Sequence, residues 1–367
     1  MSLSIHGLGT ATPPFEMTQQ ESLDLACRVT SAADRDARLL KALHRKSRVE
    51  RRHTIVPHST AIDWRFGGGG VRPEGESEPS LLGPTTSGRM QLYDQYATDL
   101  AAEAIVNSIA SAPIELTELT HLITVSCTGF AAPGVDIKLI RRFELNPEIE
   151  RVHIGFMGCH GAINGLRVAQ AIANADPAAK VLLCAVEVCS LHYRLDWKPE
   201  QLVGNLLFSD GAASVLCGNS ESTDWRLINV GSCLLPSSQD AITWRIGDHG
   251  FEMSLSPEVP DLIGEHLRPW LSQWLRRNGV EPSDVAHWAV HPGGPRVITS
   301  VAEALSLPPD ATSASRDVLA QFGNMSSPTI LFIVDELRRR GATGLAVAVA
   351  FGPGVVAEAA LFDFGSN

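Results

Sequence analysis

Residues 151–188 read RVHIGFMGCHGAINGLRVAQAIANADPAAKVLLCAVEV, and this stretch decides the fold class. An apolar run at 151–156 enters a glycine-flanked turn, a small-residue helix follows over 161–175, and a second apolar run occupies 181–188. Short apolar runs bounded by Gly and Pro read as buried strands, and a helix that is apolar over most of its surface must itself be covered. Strand, helix, strand in that order is the building unit of layered α/β proteins.

The alternation continues in both directions. Upstream, strands are expected at 4–11 and 122–126, with helices from about 90 to 110 and at 136–143. Thr18, three residues before Glu21, opens another helix in the manner of a capping box. Residues 66–88, with Gly67-Gly68-Gly69-Gly70 and many Ser, Pro and Glu, read as an exposed loop. Downstream, 212–217 is a strand. After a divergent stretch the theme returns as strand 287–290, helices 297–305 and 329–340, and strands 345–350 and 355–362. Two halves of one plan imply an internal duplication, and the lack of a fixed short period excludes a solenoid.

Composition narrows the partners. The 367 residues are 44% hydrophobic and 19% charged, enough apolar material for a large core. Thirty basic against 41 acidic residues give a net charge of -11, which disfavours nucleic acid or an anionic membrane as the main partner. Seven thinly spread cysteines do not make a disulfide scaffold, and no secretory leader is evident, so a protein of the reducing cytoplasm is expected. The uncharged run 341–357 is broken by Phe351-Gly352-Pro353-Gly354 and reads as strand, turn, strand. The one dense basic stretch, Arg38 to Arg52, is either a solvated helix face or a phosphate-gathering mouth.

Three loops place reactive side chains at element ends. Cys159, in Gly158-Cys159-His160-Gly161, stands at the N-terminus of a buried helix, where free amides and the macrodipole favour a thiolate. A structural buried cysteine is the plainer alternative. His291, in His291-Pro292-Gly293-Gly294-Pro295, follows a strand on a stiff backbone; a lone His is otherwise an ordinary core or surface residue. Asn324 precedes Ser327-Pro328, an expected N-cap and first helical residue, where ordinary turn work is the alternative. Together the three supply a nucleophile, an imidazole and an amide donor, the needs of acyl transfer through a thioester. Cys184 and Cys189 lack a second Cys or His pair at zinc-like spacing and read as structural; no metal site is expected. No nucleotide-binding glycine motif is present.

Gly158-Cys159, His291-Pro292-Gly293-Gly294-Pro295, Gly323-Asn324-Met325-Ser326-Ser327 and Phe351-Gly352-Pro353-Gly354 resemble the signature regions of type III polyketide synthases, the chalcone synthase family. The resemblance runs over nearly the whole chain. It implies a thiolase-like fold, a duplicated αβαβα five-layer core, with one half (1–220) carrying the cysteine and the other (221–367) carrying His and Asn. It also implies a homodimer, and no cofactor beyond the coenzyme A thioesters used as substrates.

Carried over by residue, the resemblance implies that Cys159 takes an acyl group from an acyl-CoA starter and holds the chain. His291 and Asn324 would stabilise the enolate left when malonyl-CoA loses CO2, and repeated condensation would end in cyclisation to a resorcinol, pyrone or related aromatic product. Phe208 and Phe251 match gatekeepers between the CoA tunnel and the cavity. Lys46, with Arg38 and Lys41 nearby, and Arg296 would meet CoA. His192, Cys127, Thr128, Gly293 and Ser326 fall on substrate-binding positions. His192 departs from the plant pattern, where a threonine stands, and is expected to reshape the pocket and donate to a polyketide carbonyl. Residues 18–21 and 84–86 are similar to bacterial alkylresorcinol and alkylpyrone synthases, which favours a fatty acyl starter. Two other readings stay open: a ketoacyl-ACP synthase III-like enzyme making one condensation, and a non-catalytic scaffold of the same shape.

Overall fold

The computed structural model describes residues 2–365 except 32, 111, 113 and 220–224; the divide expected at 220/221 lies outside the described residues. The N-terminal half runs β1 (Leu3–Ala11), β2 (Phe15–Thr18), α1 (Gln19–Val29), α2 (Asp34–Ser47), β3 (Arg51–Thr54), α3 (Ser59–Phe66), α4 (Thr86–Ile109), β4 (His121–Ser126), α5 (Val135–Arg142), β5 (Glu150–Gly155), α6 (Gly161–Ala175), β6 (Lys180–Val188), α7 (Pro199–Leu207) and β7 (Asp210–Gly218). The second half runs β8 (Arg226–Leu234), β9 (Ile242–Gly247), β10 (Gly250–Leu255), α8 (Val259–Arg277), β11 (His287–Val290), α9 (Pro295–Leu305), α10 (Ser313–Phe322), α11 (Pro328–Arg339), β12 (Leu345–Gly352) and β13 (Val356–Asp363).

Both halves obey one packing rule. On β6, Val181, Leu183 and Ala185 face a central layer, while Leu182, Cys184 and Val186 face outward onto α4. On β12, Ala346, Ala348 and Ala350 face the centre, and Val347, Val349 and Phe351 face outward onto α8 and α9. Strands covered on both faces read as near-continuous apolar runs because neither parity meets water. The central layer is α6 and α11, through Ile163, Leu166, Ile330 and Ile333. The order outward from it is sheet, then helices, on either side: the five layers of a thiolase-like fold. Helix α6 spans the residues read from sequence, and Thr18 caps α1 in a reciprocal capping box with Glu21.

The strand order is β11-β12-β13-β8-β1-β7-β6-β4-β5. β4 is parallel to β5 and β6, as is β11 to β12; β6–β7, β7–β1, β8–β13 and β12–β13 are antiparallel. Among the described residues the half-sheets join through Leu3↔Leu227 and Ser4↔Arg226, with Ile5 N–H donating to Trp225 O at 2.9 Å. Among the described residues no helix is long and apolar enough to cross a membrane.

Two local expectations are corrected. Ser327 makes no cap bond; its backbone is already helical (φ -58°, ψ -37°), and its hydroxyl donates to Glu187 Oε1 at 2.8 Å. A buried carboxylate outcompetes the helix amides for that hydroxyl. Arg52 does not belong with the surface basic residues: it is 2% exposed and donates to the carbonyls of Asn205 and Leu206 at the end of α7.

Candidate active site

Cys159 lies in a short helical turn, 158–160, between β5 and α6. The chain reaches it through Phe156 (φ 56°) and Gly158 (φ 70°). A left-handed Phe costs about 1 kcal/mol, so the turn is held by its surroundings. Gly158 meets the need for positive φ, and a Cβ there would lie 2.5 Å from Pro353 Cδ. Gly352 has a different reason: a Cβ would lie 2.4 Å from the ring of His160. His160 Nδ1 meets Asn164 Oδ1 at 2.7 Å, Asn164 donates to Glu358 at 3.1 Å, and Arg167 pairs with the same carboxylate. This chain ties α6, just behind the cysteine, to β13 of the other half.

Asn324 is clamped by backbone bonds. Its N–H donates to Leu207 O at 2.8 Å, and its carbonyl accepts from Ser209 N at 3.0 Å, so it runs beside Phe208 like a one-residue strand. Its side-chain oxygen accepts from Ser326 N at 2.8 Å, which leaves the amide N–H2 to act on the Cys159 sulfur. His291 continues β11, its N–H bonded to Val349 O at 2.8 Å, while Nδ1 and Nε2 are both buried without a partner.

Cys159, His291 and Asn324 line one cavity with Cys127, Thr128, Gly293, Ser326 and Phe208. Each half contributes part of this lining. Burial pushes the Cys159 thiol up to about 11, against hydrogen bonds from Ser326 and Asn324 that pull it down. Burial pushes His291 down to about 3, with His160 acting in the same direction. Burial thus outweighs the helix N-terminus, and the expected thiolate is not the state burial favours. A thiol–imidazole pair and a thiolate–imidazolium pair carry the same net charge, so passing one proton from Cys159 to His291 adds no net charge to the cavity.

Four expected site residues lie elsewhere. Phe251 and His192 line an adjoining chamber, their rings stacked at 4.3 Å and 13°. Phe251 N–H donates to His192 Nδ1 at 2.9 Å, so the other nitrogen carries the proton and donates to Thr128 O at 2.6 Å. Burial holds the ring neutral, down to about 3. Both nitrogens are used, so His192 has no donor left for a polyketide carbonyl; it fastens Phe251 to the Thr128 loop. Lys46 and Arg296 are exposed and outside the cavity wall.

Sequence reading missed three residues here. Glu187, fully buried, accepts from Cys127 N at 2.9 Å, Thr128 N at 3.0 Å, Thr128 Oγ1 at 2.7 Å and Ser327 Oγ at 2.8 Å. Burial raises its pKa and these bonds oppose the rise. The signal was a single acid in the apolar run VLLCAVEV, since an unpaired buried Glu is rarely tolerated. Trp244 lines the cavity and donates to Cys127 O at 2.7 Å. Cys189, read as structural, is part of the cavity wall as well.

Comparison with known proteins agrees over the full length. Residues 2–221 match the N-terminal domain of chalcone and stilbene synthases, and residues 227–363 match the C-terminal domain. The chain is 32% identical to the alpha-pyrone synthesis polyketide synthase-like protein Pks18 of Mycobacterium tuberculosis, over 98% of this chain and 90% of the relative. It is 30% identical to the 1,3,6,8-tetrahydroxynaphthalene synthase of Streptomyces peucetius subsp. caesius, over 97% and 91%. Among solved structures, PKS-I of the brown alga Ectocarpus siliculosus superposes with a TM-score of 0.91 at 27% identity, over 99% of this chain and 98% of that one. These matches set aside the ketoacyl-ACP synthase III reading, and the chain belongs to the chalcone and stilbene synthase family as a type III polyketide synthase.

Proposed function

We propose that Cys159 is the nucleophile that carries the growing chain. Its sulfur attacks the thioester carbonyl of an acyl-CoA starter, the C–S bond to CoA breaks, and the thiol proton leaves through His291. Malonyl-CoA then loses CO2; the C–C electron pair becomes an enolate whose oxygen accepts from His291 and the Asn324 amide. The enolate carbon attacks the Cys159 thioester and sulfur leaves as thiolate, ready for return of the chain. The observation that carries this reading is a buried thiol in one cavity with an imidazole whose nitrogens are both unpaired and an amide whose donor end acts on that thiol. The halves 1–220 and 221–367 act as one catalytic unit.

Phe208 and Phe251 border the passage to the cavity, and Lys46 and Arg296 meet CoA phosphates from the surface. The starter is an acyl chain and the product a pyrone or resorcinol, supported by the apolar wall of Phe208, Trp244 and Met253 and by the likeness to an alpha-pyrone synthase. CoA thioesters are the only small molecules required, in the cytoplasm. A homodimer would cover the exposed Val152, Phe156 and Met157 beside the edge strand β5. Incubating a panel of acyl-CoA starters with malonyl-CoA and reading products by mass spectrometry tests the whole assignment. Absence of any malonyl-dependent product would sink it.

Two variants probe parts of it. His291→Gln removes the proton acceptor, so Cys159 must ionise alone. Its alkylation by iodoacetamide should fall at least tenfold at pH 7 and climb with pH towards about 11. An unchanged rate at pH 7 would separate His291 from the thiol. His192→Thr unpairs Phe251 N–H and Thr128 O and removes the stacked ring. We expect a stability loss of about 2–4 kcal/mol in thermal unfolding and an altered product pattern, with malonyl-CoA decarboxylation changed less. An unaltered pattern would show that Phe251 does not depend on this tether.

A further inference from the structure

Behind the Cys159 cavity is the second chamber, and the two share a wall of Cys189, Gly204, Phe208, Trp244 and Met253. The shared wall is mostly apolar, whereas the far side is charged. There, Arg194 is answered by Asp196 and Glu252, and both nitrogens of His192 are used. Arg52 is different. Its terminal nitrogens donate to Asn205 O at 2.7 Å and Leu206 O at 2.9 Å, and its buried Nε–H has no partner.

No carboxylate opposes the Arg52 charge among the described residues; burial alone lowers its pKa, to about 10, and the neighbour acting against this is Tyr193. The carbonyls at the end of α7 carry partial negative charge and answer two of the donors, leaving the third. Tyr193, lining the same chamber, has a buried hydroxyl whose oxygen is reached by the Asn205 side chain while its O–H finds no acceptor. Leaving a buried donor unpaired costs about 1–3 kcal/mol. Two such donors, one of them cationic, lie beyond an apolar approach, so the chamber matches a ligand with an apolar stem and an acceptor oxygen at its tip.

We propose that this chamber seats the far end of the starter acyl chain, and that Arg52 and Tyr193 select a tip bearing a carboxylate over a plain alkyl tip of the same length. This rests on the reading that Cys159 holds the starter. The stem lies along Phe208, Trp244 and Met253, and the tip oxygen accepts from Arg52 Nε–H and Tyr193 O–H.

The test uses paired CoA thioesters of matched length, one alkyl-tipped and one ω-carboxy-tipped, with malonyl-CoA. Acylation of Cys159 is read by intact-protein mass and extension by product mass. The wild-type enzyme should favour the carboxy-tipped starter in kcat/KM by about tenfold. Replacing Arg52 risks the fold, because it holds the end of α7. Tyr193→Phe removes a hydroxyl whose O–H has no acceptor, at the cost of its contact with Asn205, and should lower the carboxy-to-alkyl ratio about fivefold. A purely structural Tyr193 would shift both starters together and leave that ratio in place. A wild-type preference for the alkyl tip, or an unmoved ratio in Tyr193→Phe, overturns the chamber assignment while acylation of Cys159 by both starters leaves its parent reading standing. Failure of both starters to acylate Cys159 overturns the two together.

Discussion

Cys159→Ala is expected to abolish product formation, by at least about 10⁴-fold, while the protein stays folded. The reason is covalent: without the sulfur there is no thioester to hold the starter, and the enolate has no electrophile in the cavity. The fold should tolerate the change. Cys159 is buried at 9% exposure, and losing one sulfur costs about 1 kcal/mol, well short of what unfolds a core of this size. His291 and Asn324 remain, so slow release of CO2 from malonyl-CoA should persist. The decisive measurement is CO2 release and polyketide mass on the same sample; product within tenfold of wild type would refute a covalent role for Cys159.

Glu187→Ala should be the most destabilising single change near the cavity. It strips the acceptor from two backbone N–H groups, Cys127 and Thr128, and from the hydroxyls of Thr128 and Ser327. Removing one member of a buried charged network costs about 3–5 kcal/mol. We expect Tm to fall by roughly 5 °C. Glu187→Gln should fall less, because one amide oxygen still accepts while the NH2 faces donors. A Tm for Glu187→Ala within two degrees of wild type would mean that the 126–128 loop is held by other contacts.

Much of this arrangement was legible beforehand, for local reasons. Helix α6, the Thr18–Glu21 cap and the alternating strands are encoded by residues within a few positions of one another. Cys159, His291 and Asn324 announced themselves through flanking glycines and prolines, which mark where strands and helices end. What escaped depends on distant partners. His192 becomes a tether only because Thr128, 64 residues before it, and Phe251, 59 after it, converge on its ring. Arg52 is drawn inward by carbonyls more than 150 positions away. Ser327 had the right spelling for a cap and was claimed by Glu187, a competitor on another strand. Charge and motif place a residue near an element end; they do not say which side chains from the other half will meet it.

The narrow join between the half-sheets, which links Leu3, Ser4 and Ile5 to Leu227, Arg226 and Trp225, bears on biosynthesis. A nascent chain emerging from the ribosome presents Cys159 long before Asn324 exists, and in that interval the thiol has neither imidazole nor amide beside it. On the roles proposed for Cys159, His291 and Asn324, thioester chemistry would switch on only after translation is nearly complete and the late half docks. Polypeptides truncated by a premature stop or by degradation would carry an inert thiol, and the cell's CoA pool would be protected from unproductive acyl capture by fragments.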